Sequence, residues 1–339
     1  MAALSYGAMD PVNGPGIEAL ALPESAPPDA TVEPAGFLVG VDDAVRIHFL
    51  DWDASRVEAD PAAPRPGRAP SVLLVPGLAH TAWTWASVAR RLARGARVVA
   101  MDLRGHGLSD APTSGYDPDR LAGDAIAVAE GAGLLALPGE PPDGPFVVAG
   151  LGFGAVVATW TANALGDRCA GLVLVDGGWE DLAATTDDTP DEWLAAIEEP
   201  PEVLASMAAW LADRDDFDPA SWDADQEQAA RAQVVETAAG RVKIAVHPHA
   251  LRASVEALWS YEPAAVLPSV DARIVALLAR DDDGSRVAAL RDVALRRAET
   301  GRSAIRAGSF PGRGHNLARY EPGVVASAVL ASAGVEPSP

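Results

Sequence analysis

The sequence predicts an α/β fold: a mostly parallel sheet flanked by helices, with a helical segment inserted between its later strands. Three observations carry that expectation. Short apolar runs alternate with helix-length segments from residue 72 onward, the pattern of strands joined by crossover helices. Runs such as Val72-Leu73-Leu74-Val75 are apolar without alternation, as strands covered on both faces are. The rhythm stops between residue 178 and about 262, then resumes at Arg273.

Taken in order, residues 1–35 are rich in Ala, Pro and Gly with little periodicity, and read as a flexible N-terminal arm. Phe37–Val41 and Val45–Trp52 read as two strands joined at Asp42-Asp43. Pro61, Pro64, Pro66 and Pro70 mark a surface loop. Strands follow at Val72–Val75, Arg97–Met101, Phe146–Ala149 and Gly171–Val175. Between them lie helices near Trp83–Ala93, within Pro118–Leu137 and from Ala155 to Leu165.

Residues 178–262 show helical-looking pieces and no strand signal, with Trp179, Trp193, Trp210, Trp222 and Trp259 spread among them. Between 180 and 240, seventeen Asp or Glu stand against only Arg214 and Arg231, so this insert reads as an acidic helical cap. Strand Arg273–Ala279, a helix near Arg286–Arg297, strand Ser303–Phe310 and a helix at Tyr320–Ala333 complete the chain. The expected organisation is an arm (1–35), a core (36–177 and 263–335) and a cap (178–262).

Bulk composition narrows the function. The formal charge of −22 argues against nucleic acid, whose phosphates need cationic partners, and against an anionic membrane surface. Cys169 is the one cysteine, so no intrachain disulfide forms and a reducing cytoplasm fits. It opens a buried strand and reads as a small apolar residue. No Lys or Arg precedes Arg46, unlike a secretory signal, and no stretch approaches the ~18 apolar residues of a membrane span. Arg outnumbers Lys in an Ala-rich chain, which suggests a GC-rich bacterial genome. The expectation is a soluble cytoplasmic protein.

Four short motifs carry chemistry. Pro76-Gly77-Leu78 follows the first buried strand. Asp102-Leu103-Arg104-Gly105-His106-Gly107-Leu108-Ser109-Asp110 follows the next. Gly150-Leu151-Gly152-Phe153-Gly154 lies between an apolar strand and a helix, and Gly314-His315-Asn316 follows the last strand. In this order they resemble the α/β-hydrolase superfamily, in its esterase, epoxide hydrolase and lactonase-like branch, over roughly 300 residues. The resemblance implies an eight-stranded, mostly parallel sheet with an inserted cap. It places Gly152 where a G-x-S-x-G elbow keeps its serine.

The remaining roles follow from that resemblance. His315 is the catalytic histidine, oriented by Asp281 or Asp282 in the loop after Arg273–Ala279. Asp176, at the end of the preceding strand, is the alternative position and otherwise a turn residue. The backbone N–H groups of Leu78 and Phe153 form the oxyanion hole, aided by the helix N-terminus at Gly152. His106 belongs to a structural turn. His247 and His249 form a His-x-His pair, too few ligands for a metal site; neither a metal nor a cofactor is expected.

With Gly152 the elbow loses both the strain of a side chain, about 1–3 kcal/mol, and the attacking atom, whose removal from a triad lowers turnover by ~10⁶-fold. No Asp, Cys or Thr replaces it. Three readings follow: general acid–base catalysis by His315 on a small apolar carbonyl compound such as an ester or lactone, a non-catalytic ligand- or partner-binding descendant, or a serine hydrolase inactivated at position 152.

Overall fold

The computed structural model describes residues 10–20, 22, 27–29, 31–42, 44–52, 69–137, 144–279 and 284–334. Its strands are β1 (Asp10–Pro11), β2 (Ile17–Ala19), β3 (Ala35–Asp42), β4 (Val45–Asp51), β5 (Ser71–Val75), β6 (Arg97–Met101), β7 (Phe146–Leu151), β8 (Gly171–Val175), β9 (Val234–Glu236), β10 (Val242–Ile244), β11 (Arg273–Ala279) and β12 (Ile305–Phe310). The helices are α1 (Ala86–Leu92), α2 (Pro118–Gly131), α3 (Phe153–Leu165), α4 (Leu182–Thr185), α5 (Pro190–Ala196), α6 (Met207–Phe217), α7 (Ala224–Ala232), α8 (Pro248–Trp259), α9 (Pro263–Val266), α10 (Ser285–Glu299), α11 (Leu317–Tyr320) and α12 (Pro322–Ser332).

The main sheet runs β1-β12-β11-β8-β7-β5-β6-β4-β3, with β2 also paired to β12. From β6 to β12 every neighbour is parallel. These are the continuous apolar runs, and both their faces are covered. On one face α2, α3 and α10 bury residues such as Leu121, Val157 and Leu290. On the other, α1 and α12 bury Val88, Val325 and Val329. Strands β3 and β4 add on antiparallel at the far edge, where the residues of β3 are exposed or half-buried. The α/β-hydrolase fold expected from the sequence is the fold observed.

Three expectations are corrected. The main sheet has ten strands among the described residues, where eight were expected. Part of the arm is built into the structure: β1 and β2 pair with β12, and Val12, Ile17 and Leu20 are buried. Without them β12 would be a bare edge strand with unpaired backbone groups, so even a weakly patterned segment gains ladder bonds by lying there. The insert is also not purely helical, because β9 and β10 form an antiparallel hairpin. Three-residue strands are too short to register as periodicity. The proline loop lies almost wholly outside the described residues, as do Asp43, Asp281 and Asp282.

The insert has a small core of its own, where Trp210 packs with Ala230, Val234 and Val242 and donates its indole N–H to the Ala230 carbonyl at 2.8 Å. Arg319 of α11 fastens it to the main body. Its guanidinium donates to the carbonyls of Arg214 and Asp218 and to Ser221 Oγ. Among the described residues, no helix is long and apolar enough to cross a membrane.

Candidate active site

Four chain segments leave the carboxyl ends of the parallel strands and meet at one place, the usual ligand position of an open α/β sheet. They are the turn after β5, the β7–α3 turn, the residue after β8, and the loop between β12 and α11.

The β7–α3 turn centres on Gly152, with φ 54 and ψ −117, a conformation that side chains strongly disfavour. Its N–H is tied to the Val175 carbonyl at 3.0 Å. The neighbouring glycines are demanded by close approach. A Cβ on Gly150 would lie 2.0 Å from the Gly154 carbonyl oxygen, and one on Gly154 would lie 2.3 Å from that of Val75. The sharp turn is therefore built into the backbone packing and does not depend on what stands at 152.

His315 faces this turn. A Cβ built on Gly152 would lie 2.8 Å from His315 Nε2 and 3.2 Å from its Cε1. That is closer than a real methylene tolerates, so the imidazole edge occupies space that a side chain would need. On its other side, His315 Nδ1 is 2.5 Å from Asp176 Oδ2. Among the described residues, the carboxylate beside His315 is that of Asp176. Asp281 and Asp282, where the expectation lay, are outside the described residues; Asp176, the alternative position, follows β8 with its N–H held by the Leu277 carbonyl at 2.8 Å. Its φ of 48 turns the side chain back across the strand end, a geometry that sequence does not reveal.

Asp176 is sealed from solvent, its side chain 0% exposed, while that of His315 is 44% exposed and opens to a cavity. The second carboxylate oxygen accepts from the Ala279 N–H at 2.8 Å and pairs with Arg286 Nη1 at 2.7 Å. Arg286 also pairs with Glu180 and lies over the Trp179 ring. Burial works against its charge, but the bonds to Glu180 and Asp176 outweigh that and raise its pKa.

The turn after β5 is closed by a bond from the His80 N–H to the Gly77 carbonyl at 3.1 Å. It places Ala79 at φ 59. Ala79 and Asp176 both border the cavity, and such strain concentrates at functional sites. The N–H groups of Leu78 and Phe153 have no acceptor among the described residues, since Phe153 is the first residue of its helix. Asp102 anchors this turn from below by accepting from the Ala82 N–H at 2.7 Å, the Leu108 N–H at 3.0 Å and His48 Nδ1 at 2.8 Å. A Cβ on Gly107 would lie 2.3 Å from that carboxylate. His106 is buried, with Nδ1 3.0 Å from the Arg104 carbonyl oxygen; the Asp102–Asp110 segment serves as a brace.

The cavity holds about 1060 Å³. Its apolar wall includes Leu78, Phe153, Val156, Leu194, Ile197 and Leu251, and Trp193 and Trp210 reach it from the insert. His247 borders it too, whereas His249 binds the Pro112 carbonyl at 3.1 Å. One residue was missed by the sequence reading: His80 lines the cavity beside His315. Its only sequence signal is its place two residues after Leu78.

The sequence model of the Alpha/beta hydrolase family matches residues 72–328. Among solved structures, E-2-(acetamidomethylene)succinate hydrolase is similar with a TM-score of 0.63 and 17% identity, covering 89% of this chain and 100% of that one. The thioesterase domain from the curacin biosynthetic pathway gives 0.63 and 20%, covering 88% and 99%. The enol-lactonase from Burkholderia xenovorans LB400 gives 0.57 and 15%, covering 88% and 100%. At these identities the likeness is one of fold. No curated protein matches the sequence.

Proposed function

The chain belongs to the alpha/beta hydrolase family, and on that premise we propose that it is a member without a serine nucleophile that performs general acid–base catalysis on a small apolar carbonyl compound. In this reading Gly152 holds the nucleophile position and His315 Nε2 is the base, acting on water or on a substrate proton. Asp176 holds the imidazole in the tautomer that leaves Nε2 free to accept. The N–H groups of Leu78 and Phe153 receive the developing oxyanion. Ester or lactone hydrolysis suits the apolar cavity wall, as do elimination and isomerisation next to a carbonyl. We also propose a cytoplasmic location, because a single cysteine forms no intrachain disulfide and fits a reducing compartment.

The observation that carries the reading is the relation of His315 to its two neighbours: Nδ1 anchored on a buried carboxylate, Nε2 turned to the bare elbow.

The test is turnover of a panel of activated esters and lactones by the native chain and by His315→Ala. Turnover that disappears in the variant is expected, and equal rates would overturn the proposal. A ligand-dependent rise in melting temperature without turnover would instead mark a binding protein. Fluorophosphonate labelling of Gly152→Ser with a large gain in esterase activity would mark a disarmed serine enzyme.

A further inference from the structure

His80 is a second imidazole on the cavity, and the acid–base scheme leaves it without a task. Its Nδ1 is buried and has no hydrogen-bond partner among the described residues. It packs against the turn it closes, 3.2 Å from where a Cβ on Gly77 would sit. Nε2 is not sealed in this way, makes no bond to a described residue, and belongs to a ring that borders the cavity.

These facts select a tautomer. A proton on Nδ1 would be a buried donor with nothing to receive it, and such orphan N–H groups are rarer than under-satisfied acceptors. The proton therefore belongs on Nε2, at the edge open to the cavity. The ring is also uncharged at neutral pH: burial, and then the nearby His315 and Arg214, push it down to about 4. His80 is held on the same strained turn as the Leu78 N–H, and Asp102 braces the residue two positions on.

From this geometry we infer that His80 is a catalytic residue, a neutral imidazole whose Nε2–H donates to the substrate oxygen held by the Leu78 N–H. The inference rests on the acid–base reading of the site and gives its substrate a shape: a carbonyl compound whose oxygen accepts from the oxyanion turn while His315 works on the opposite side. No bond is made or broken by His80. Its contribution grows as charge gathers on that oxygen, which is how a fixed neutral donor lowers a barrier.

The experiment compares His80→Phe, which keeps an aromatic ring and removes the donor, with His80→Gln, which restores one. The readouts are steady-state kinetics on a p-nitrophenyl ester and binding of an aryl trifluoromethyl ketone, whose hydrate presents a tetrahedral oxygen without needing a serine. The expected result for His80→Phe is a fall in kcat of about 10²- to 10³-fold with little change in KM. Ketone binding should weaken at least tenfold, and His80→Gln should recover part of both. Nitrogen-15 spectra of the native chain should show the proton on Nε2 at pH 7.

Unchanged kcat and unchanged ketone binding in His80→Phe, or a proton on Nδ1, would overturn the role. If His315→Ala abolishes turnover while His80→Phe does not, only the His80 assignment fails. If His315→Ala retains the native rate, the acid–base reading itself fails. Should the native chain turn over no ester, the ketone decides: tenfold weaker binding in His80→Phe supports the donor, while unchanged or absent binding removes it.

Discussion

Arg286 Nη1 lies 2.7 Å from Asp176 Oδ1, the oxygen that His315 leaves unused. One sealed carboxylate thus holds a cation on one side and an imidazole on the other. The Ala279 N–H, on the strand beside it, donates to the same oxygen as Arg286 at 2.8 Å. Arg286 is in turn shared with Glu180, which fixes the start of α10 against the segment after β8.

Removing the guanidinium would strand a buried charge. Arg286→Met should destabilise the fold by about 3–5 kcal/mol, the usual cost of breaking one side of a buried pair. Denaturant titration followed by tryptophan fluorescence measures it. Replacing both partners, Arg286→Met with Asp176→Leu, should recover much of that loss while leaving His315 unanchored and the protein inactive.

The backbone of the elbow is held in a strained region by its flanking glycines, so any side chain at 152 carries that strain. Gly152→Ala should cost about 1–3 kcal/mol, with an added increment from displacing His315. Gly152→Ser should cost about the same, since the conflict is at Cβ. Chemical denaturation of both variants checks this, and a stability gain in Gly152→Ala would contradict the geometry.

His80 makes stability depend on pH with a definite sign. Its imidazole is depressed from the usual 6.5 to about 4. Between those values the unfolded chain binds a proton that the folded chain does not, so stability present above pH 6.5 is lost as pH falls toward 4. The ceiling is roughly 3 kcal/mol, reduced because one edge of the ring borders the cavity. His106, also lowered by its burial, acts in the same direction. Urea midpoints of the native chain and His80→Phe, measured from pH 7 to 4.5, should show a shallower acid decline in the variant.

Much of the architecture was legible in the sequence because continuous apolar runs leave a strand little choice when both faces are covered. Arg97–Met101, Gly171–Val175 and Arg273–Ala279 are bounded in the structure as their composition predicts. The arm was not legible. Its strands β1 and β2 form because β12 offers an open edge, a reason that lies elsewhere in the chain. The β9–β10 hairpin was equally hidden, its stability coming from Trp210 and the insert's own core.

Residue order alone sets out the parts: a glycine turn, a brace, the Gly152 turn and a histidine in the last loop. That Asp176 lies against that histidine, and that a second imidazole shares its cavity, emerges only once the chain is packed. Asp176 and His315 stand 139 positions apart in the chain, and their meeting depends on a positive φ at the end of β8. His80 becomes a cavity residue only because its turn folds back over Gly77. Local pattern fixes which elements form; the direction of a side chain at a strand end depends on backbone torsions that packing imposes.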